Sequence, residues 1–212
     1  MSAQSAGAEP KSSTRETLTL VKRVTVSQQH RAYGISLTRA RNGDFIVVGS
    51  DTNSGGTPWA VRVDGSGQIK RWEYFDDPSL VGKDSTLVGN RFSDGFELDD
   101  GTTFLCGTRF REGHQLGTTV QISAARAVTS QNLKSLGAHD TAITKCLRWN
   151  QGIVLLAGVA GDKNTGWLVM LDSPGKLRYV RFGEEFRAVD AYEAENHDLI
   201  ILSSDNRVSR VR

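Results

Sequence analysis

One stretch of this chain occurs twice, as GDFIVVGSDTNSGGTPWAVRVDGSGQIKRW at residues 43–72 and as GIVLLAGVAGDKNTGWLVMLDSPGKLRYV at residues 152–180. Each copy contains an apolar run, a polar loop with Gly, a second apolar run, a tight turn and a third run. Aligning Trp59 with Trp167 matches the Val, Asp and Gly that follow at the same offsets, and it pairs Lys70 with Arg178. Two copies of one supersecondary unit predict a repeat architecture.

Two fainter units complete a series of four. In each unit a first strand ends in a polar turn, and an apolar second strand closes on a small residue at position 49, 107, 158 or 203. The spacing between these positions falls from 58 to 51 to 45 residues. Units of this size, each a four-stranded antiparallel sheet, are typical of β-propeller blades. The sequence therefore predicts an all-β protein, a small propeller of four blades.

Composition narrows the class of protein further. With 22 Gly against 4 Pro in 212 residues, and apolar residues in short runs, the chain suits a turn-rich β protein of one domain. The formal net charge is only +2, and the basic residues are scattered among nearly as many acidic ones, so no nucleic-acid partner is expected. No apolar stretch approaches the roughly 20 residues that span a bilayer, so no transmembrane segment is expected either.

The two ends of the chain are predicted to meet. Residues 1–16 are small and polar and are interpreted as a disordered leader, which leaves residues 17–212 as a single propeller domain. Residues 17–26, TLTLVKRVTV, alternate apolar and polar side chains like a strand, whereas the fourth unit ends early with one last strand at residues 207–212. We expect the N-terminal strand to complete the last blade and close the ring, because closure removes an open sheet edge.

The repeated pattern also resembles a known group of proteins. The pattern consists of an apolar run, a Gly-rich loop and the motif Trp-x-Val-x-Leu/Val-Asp-x-x-Gly. It resembles the degenerate propeller repeats of bacterial secreted and lipoprotein-anchored proteins. The resemblance is clear in the first and third units and faint in the others. It implies a scaffold used for many functions and assigns no catalytic residue. With a leader similar to the tether of bacterial envelope proteins, it favours a periplasmic or secreted protein, the alternative being a cytoplasmic one.

No motif for catalysis is present. The four histidines, His30, His114, His139 and His197, have no metal-ligand spacing, and there is no nucleophile elbow or phosphate-binding loop. Acidic pairs beside glycine, such as Asp99-Asp100-Gly101, are typical of hairpin turns. We therefore expect a protein that is not an enzyme.

No cofactor is expected. Asp51 and Asn53 in the first unit, and Asp162 and Asn164 in the third, begin a pattern that could bind Ca²⁺. The acidic residue that would complete the ligand set is missing, and Asx turns explain the same residues without a metal. Calcium remains a minor alternative at these positions.

Two pairs of residues belong to predicted strands. Cys106 and Cys146 are interpreted as small core residues, with a disulfide between adjacent blades as the less favoured alternative. Trp59 and Trp167 occupy equivalent places in third strands, where large aromatic side chains pack between blades, so both are predicted to be mostly buried.

The working surface is predicted from chain order. Loops between second and third strands, and loops between blades, emerge at one end of a propeller, and here they are longer than the Gly-rich turns at the other end. The residues predicted to bind a partner at this end are Arg109, Phe110, Arg111, Glu112, His114, Asp77, Lys83, Asp84 and His139. We expect a non-enzymatic recognition scaffold for another protein, such as an envelope inhibitor or an immunity protein against a secreted toxin or hydrolase. A glycan-binding or glycan-cleaving propeller is the alternative.

Overall fold

A computed structural model describes residues 32–51, 57–74, 90–111, 114–125, 127–133, 140–150, 152–160, 165–172, 176–184 and 188–212. Across these ranges the backbone forms fifteen β-strands and no α-helix. No helix capable of spanning a membrane is found in this described part of the chain.

The strands form four antiparallel sheets in which neighbours in sequence are neighbours in space. The first blade is β1 (Ala32–Arg39), β2 (Phe45–Asp51), β3 (Thr57–Val63) and β4 (Ile69–Tyr74); the second is β5 (Arg91–Glu97), β6 (Thr103–Arg111), β7 (His114–Ile122) and β8 (Val128–Asn132); the third is β9 (Asp140–Trp149), β10 (Gly152–Ala160), β11 (Thr165–Asp172) and β12 (Lys176–Glu184); the fourth is β13 (Ala188–Glu193), β14 (Leu199–Ser203) and β15 (Val208–Val211). This arrangement confirms the predicted four-bladed propeller.

The first strand of each blade lies at the hub. β5 packs on β1, β9 packs on β5, and β13 packs on β9. Each first strand contains a bulge, at which one residue interrupts the pairing with the second strand. A bulge re-aims the side chain that follows it, and this happens at the same place in every blade.

Apolar residues fill the spaces between successive blades. The first core cluster includes Ile46 and Leu105, and the second includes Phe104 and Leu155. The third includes Leu156 of the third blade together with residues of the fourth blade. These side chains are buried because neighbouring sheets cover both faces of an inner blade. The apolar second strands of the sequence thus form the core, as their lack of strict alternation indicates.

Tight turns connect the first strand of each blade to the second, at one end of the propeller. Gly43 and Gly101 adopt φ values of 86° and 81°, and Asn150 and His197 adopt 46° and 63° at the corresponding turns of the third and fourth blades. Glycine takes this left-handed conformation without cost, and asparagine is among the residues that tolerate it. We call this end of the molecule the turn end, and the opposite end the loop end.

Two details of the sequence alignment are resolved by the structure. Trp59 is fully buried and Trp167 is partly buried against the second cluster, in equivalent third strands. The pairing of Lys70 with Arg178 is wrong, because a bulge in the first blade shifts the register. Arg71 lies opposite Arg62 in the first blade, whereas Arg178 lies opposite Met170 in the third.

The predicted ring closure lies outside the described residues. Neither the leader, residues 1–16, nor the strand predicted at residues 17–26 belongs to the described ranges. The described part of the fourth blade has three strands, of which β15 lies at an edge. Completion of this blade by the N-terminal strand therefore stays a prediction.

Candidate functional site

A chain of polar contacts runs through the hub. Ser36, Asp94, Lys145 and Asp190 each follow the bulge in the first strand of their own blade. Ser36 Oγ donates a hydrogen bond of 2.6 Å to Asp94 Oδ1, and Lys145 Nζ lies 3.3 Å from Asp94 Oδ2 and 3.2 Å from Asp190 Oδ1. Equivalent positions in four blades are thus joined by three contacts.

Pairing with two carboxylates makes Lys145 a structural residue rather than a nucleophile. The Asp94 side chain is 3% exposed, that of Lys145 27% and that of Asp190 61%. Burial lowers the pKa of Lys145, but the charges of Asp94 and Asp190 outweigh this effect and raise it above its ordinary 10.5. Lys145 is therefore a cation at neutral pH, whereas a nucleophilic lysine needs a lowered pKa. The Asp94 carboxylate is held by Ser36, Lys145 and the Cys146 amide, 3.3 Å from Oδ2.

An Arg–Asp ion pair lies at the turn end of the first blade and again at the turn end of the fourth, and the sequence analysis did not predict it. Arg62 Nε lies 2.9 Å from Asp44 Oδ2, and Arg210 bonds to the equivalent Asp198. The turn asparagine Asn42 also donates to its own blade's aspartate, at 2.8 Å. The sequences NGDFIVV at residue 42 and NHDLIIL at residue 196 share Asn, Asp and Ile at the same offsets, so this similarity could have revealed the repeated device.

Few of the predicted partner-binding residues are among the described ones. Asp77, Lys83, Asp84, Glu112 and His139 lie outside the described ranges. The remaining predicted residues belong to the hairpin of β6 and β7, and they are Arg109, Phe110, Arg111 and His114.

The sequence places Arg109, Phe110, Arg111 and His114 in one of the longer loops, and this expectation is wrong. Strand β6 continues to Arg111, which lies opposite His114 at the start of β7, so only two residues separate the strands. Arg109 is 8% exposed within β6, whereas His114 is exposed. The two strands stay paired through this segment because their backbone groups satisfy one another. Arg109 therefore offers little surface to a partner.

The residues considered as calcium ligands form no metal site in the described part of the chain. Asp51 is buried at the end of β2, and Asn53, Asp162 and Asn164 lie outside the described ranges. No group of three or more acidic, histidine or cysteine side chains suited to a metal is found among the described residues.

Cys106 and Cys146 are both free and buried in the second core cluster. They pack as core residues, which is the interpretation favoured from the sequence. Burial raises the pKa of both thiols, so they stay protonated and unreactive.

The fourth blade exposes an apolar face. Tyr192 is opposite Ile200, and Leu202 is opposite Val208, so these four side chains share one side of the sheet. Tyr192 is 61% exposed and Val208 67%, whereas Leu199 and Ile201, on the other side, are buried against the third blade. We call Tyr192, Ile200, Leu202 and Val208 the fourth-blade face.

Leu202 and Val208 lie toward the loop end of this face, whereas Tyr192 and Ile200 lie nearer the turn end, next to the pair Glu193 and Leu199. The turn that joins Leu202 to Val208 connects a second strand to a third strand, and such turns emerge at the loop end. Three exposed arginines border the face along the last strand, at positions 207, 210 and 212. Arg207 Nε contacts Asp205 Oδ2 at 2.7 Å, while its side chain remains largely in solvent.

Comparison with known proteins supports the fold alone. No family model and no curated protein matches the sequence. The structure is similar to the subtype N10 neuraminidase-like protein of A/little yellow-shouldered bat/Guatemala/060/2010, with a TM-score of 0.50, 12% identity and 85% of this chain covered. It is also similar to the periplasmic gluconolactonase PpgL of Pseudomonas aeruginosa, with a TM-score of 0.44, 9% identity and 83% covered. The chain spans 57% of the first protein and 68% of the second. At 12% identity the likeness to the first protein indicates a β-propeller fold and nothing finer.

Proposed function

We propose that this propeller is a non-enzymatic recognition scaffold that binds another protein through its loop end and the adjoining fourth-blade face. The observation that carries the proposal is the exposure of Tyr192, Leu202 and Val208 on one side of a sheet. The faces between the first and second, the second and third, and the third and fourth blades are buried in three core clusters, whereas Tyr192, Leu202 and Val208 on this face are exposed.

The composition of the face suits a protein partner. Large contiguous patches of exposed apolar side chains are rare on protein surfaces, and those that occur often mark interaction sites. Tyrosine and arginine are enriched at interfaces and dominate their binding energy, and Tyr192 and Arg210 flank Ile200 on the two strands next to it. Covering these side chains would remove apolar area from water, which is the main driving force of association.

The border of the face defines the chemistry of the partner. Arg207, Arg210 and Arg212 are exposed along β15 and the residues that flank it. Because Asp205 pairs with Arg207 and Asp198 pairs with Arg210, a partner with an apolar centre and a polar rim would be complementary to this face. Asp77, Lys83, Asp84 and His139 lie outside the described residues, and the sequence predicts that their loops emerge at the loop end, where they would extend this contact.

A finer role follows from the resemblance to envelope repeat proteins. An inhibitor or immunity protein acting on a secreted toxin or hydrolase, in the periplasm or outside the cell, would use such a surface to cover its target. This role is part of the proposal and is separable from protein binding itself. A purified partner that is a toxin or hydrolase should lose activity when the propeller is added.

Site-specific photocrosslinking tests the proposal in the organism that makes the protein. A benzophenone amino acid is placed at Tyr192 or at Val208, and the crosslinked protein is identified by mass spectrometry. The control position is Gly65, an exposed turn residue at which an added Cβ would have nothing within 4 Å. The same protein should crosslink from both positions of the fourth-blade face and not from Gly65.

Two results would overturn the proposal. One is equal capture of the same proteins from Gly65, which would show that no surface is favoured. The other is selective binding of sugars on a glycan array, lost when Tyr192 is replaced by Ala, which would establish the glycan-binding alternative instead.

A further inference from the structure

The side of the fourth blade that carries the fourth-blade face is bordered by opposite charges. By register, six side chains share this side of the sheet in two rows, Asp190, Leu202 and Val208 in one and Tyr192, Ile200 and Arg210 in the other. Asp190 belongs to β13, the strand at the hub, and Arg210 belongs to β15, the strand farthest from the hub. The sheet therefore presents an acidic edge, an aliphatic middle strand and a basic edge.

Both charged side chains keep surface for a further contact. Asp190 is 61% exposed, and its contacts with Lys145 Nζ and with the Ala191 amide both use Oδ1, which leaves Oδ2 for another donor. Arg210 is 48% exposed, and its Nε and Nη2 both bond to Asp198 Oδ2. A guanidinium held along one edge in this way presents its flat faces, on which aromatic rings stack.

The first blade does not cover this side of the fourth. The equivalent side of each earlier blade packs on the blade that follows, as Leu156 packs with Ile201. Among the described strands, however, β13 packs on β9 and does not pack on β1. Trp59, Val61 and Val63, on the side of the first blade that would meet the fourth in a ring, are already buried. The first blade of a second copy is a poor occupant for the same reason.

The fourth blade of a second copy is complementary to this face. A twofold axis parallel to β14 places β14 of one copy over β14 of the other, and β13 over β15. The edge that carries Asp190 and Tyr192 then meets the edge that carries Val208 and Arg210, and it does so in both halves of the interface. A twofold axis across the strands would instead bring the two basic β15 strands together, so charge favours the first arrangement.

We propose that the chain forms a symmetric homodimer through the fourth-blade face, in which Tyr192 of each copy stacks on Arg210 of the other and Leu202 packs on its own counterpart. Six residues a side are fewer than the roughly 20–30 of a standard interface, so the dimer is reversible, with a dissociation constant of about 1–100 µM. This proposal rests on the proposed function in one respect: a partner that binds this face must displace the second copy, which regulates access to it.

Sedimentation velocity of the full chain over a range of concentrations tests the proposal. The wild type should shift from monomer to dimer between about 1 and 500 µM. Leu202→Asp should raise the dissociation constant at least about 30-fold, because two like charges would face each other across the axis. Leu202 is 41% exposed, so the variant should fold. Val128→Asp makes a matched change at an exposed residue of β8, in the second blade, and should alter the constant by less than about 2-fold.

A mixture of two variants tests whether Leu202 meets its own counterpart. Leu202→Asp and Leu202→Lys should each be monomeric at about 100 µM, whereas an equimolar mixture should form a heterodimer, since opposite charges then meet across the axis. A face that packed on a different surface of the second copy would give no such recovery. Circular dichroism melting of each variant, with a Tm close to that of the wild type, shows that the fold is intact.

The proposal is overturned if the wild type stays monomeric up to about 1 mM, if Leu202→Asp associates like the wild type, or if the mixed variants stay monomeric. A monomeric wild type would leave the capture of a different protein by photocrosslinking unaffected. Failure to capture such a protein would equally leave the sedimentation result unaffected, so the dimer and the proposed function fail separately.

Discussion

Lys145 Nζ lies 3.3 Å from Asp94 Oδ2, across the boundary between the third and second blades. The carboxylate is almost completely buried, and it also accepts hydrogen bonds from Ser36 and from the Cys146 amide. A buried carboxylate is stable only while it is paired, so this contact holds the hub together only as long as both partners are present.

Removal of one partner should therefore be costly. Lys145→Met is expected to lower the free energy of unfolding by about 3 kcal/mol, because it leaves Asp94 buried with a charge and without its ammonium partner. The double variant with Asp94→Asn should be more stable than the sum of the single effects predicts, by at least about 1 kcal/mol. Urea denaturation of the four proteins measures this coupling, and strictly additive effects would show that the pair contributes nothing.

The turn-end ion pair of the first blade should make stability sensitive to acid. Hydrogen bonds from Asn42, Arg62 and Lys70 hold the pKa of Asp44 below its ordinary 3.8, although burial opposes them. A lowered pKa means that Asp44 contributes stability above pH 3.8, and that this contribution is lost as the pH falls through the folded-state value.

Melting curves at about pH 4 and about pH 2 should show a larger loss for the wild type than for Asp44→Asn. Glu195→Gln, at an exposed position in the fourth blade, is the control and should behave like the wild type. If Asp44→Asn loses as much stability between these pH values as the wild type, the ion pair does not account for the acid sensitivity.

The two repeated tryptophans should differ in their contribution. Trp59 is fully buried, and Trp59→Ala should cost about 3–5 kcal/mol of unfolding free energy because it leaves a large cavity. Trp167 is only partly buried, so Trp167→Ala should cost less. Chemical denaturation monitored by circular dichroism compares the two variants. A loss below about 1 kcal/mol at Trp59 would contradict its burial between strands.

Ring closure by the N-terminal strand is tested by truncation. If residues 17–26 pair with the last strand, deletion of residues 1–26 should expose the edge of β15 and lead to aggregation or to a markedly lower Tm. Deletion of residues 1–16 alone should leave the Tm unchanged and serves as the control. A chain without residues 1–26 that melts like the full chain would show that the fourth blade is completed in another way.

The sequence was sufficient to predict the architecture because the repeated unit around Trp59 and Trp167 has its own periodicity. It was not sufficient to predict the hub contacts. Ser36, Asp94, Lys145 and Asp190 are of three residue types, and only the bulges bring them to equivalent places. A bulge in β4 also explains why the sequence alignment paired Lys70 with Arg178 when the structural equivalent of Arg178 is Arg71. A fixed offset in sequence does not reveal an extra residue in a strand.

The candidate binding surface was only partly predictable. The loop end was predicted from chain order, but the importance given to residues 109–114 rested on composition, and Arg109 is instead a buried residue of a paired strand. The fourth-blade face was missed because Tyr192, Leu202 and Val208 look like ordinary strand residues. Whether the side of a strand is covered depends on the neighbouring sheet, which a local pattern does not encode.

The affinity of the crosslinked partner, once purified, tests the central claim most directly. Isothermal titration calorimetry should give a dissociation constant for the wild type, and Val208→Asp should raise it at least about 30-fold, because a charge would be forced into the apolar centre of the contact. Ile69→Asp makes the same change at a partly exposed residue of the first blade and should leave the affinity within about 2-fold of the wild type. Equal affinities for Val208→Asp and the wild type would contradict the assignment of the fourth-blade face as the recognition surface.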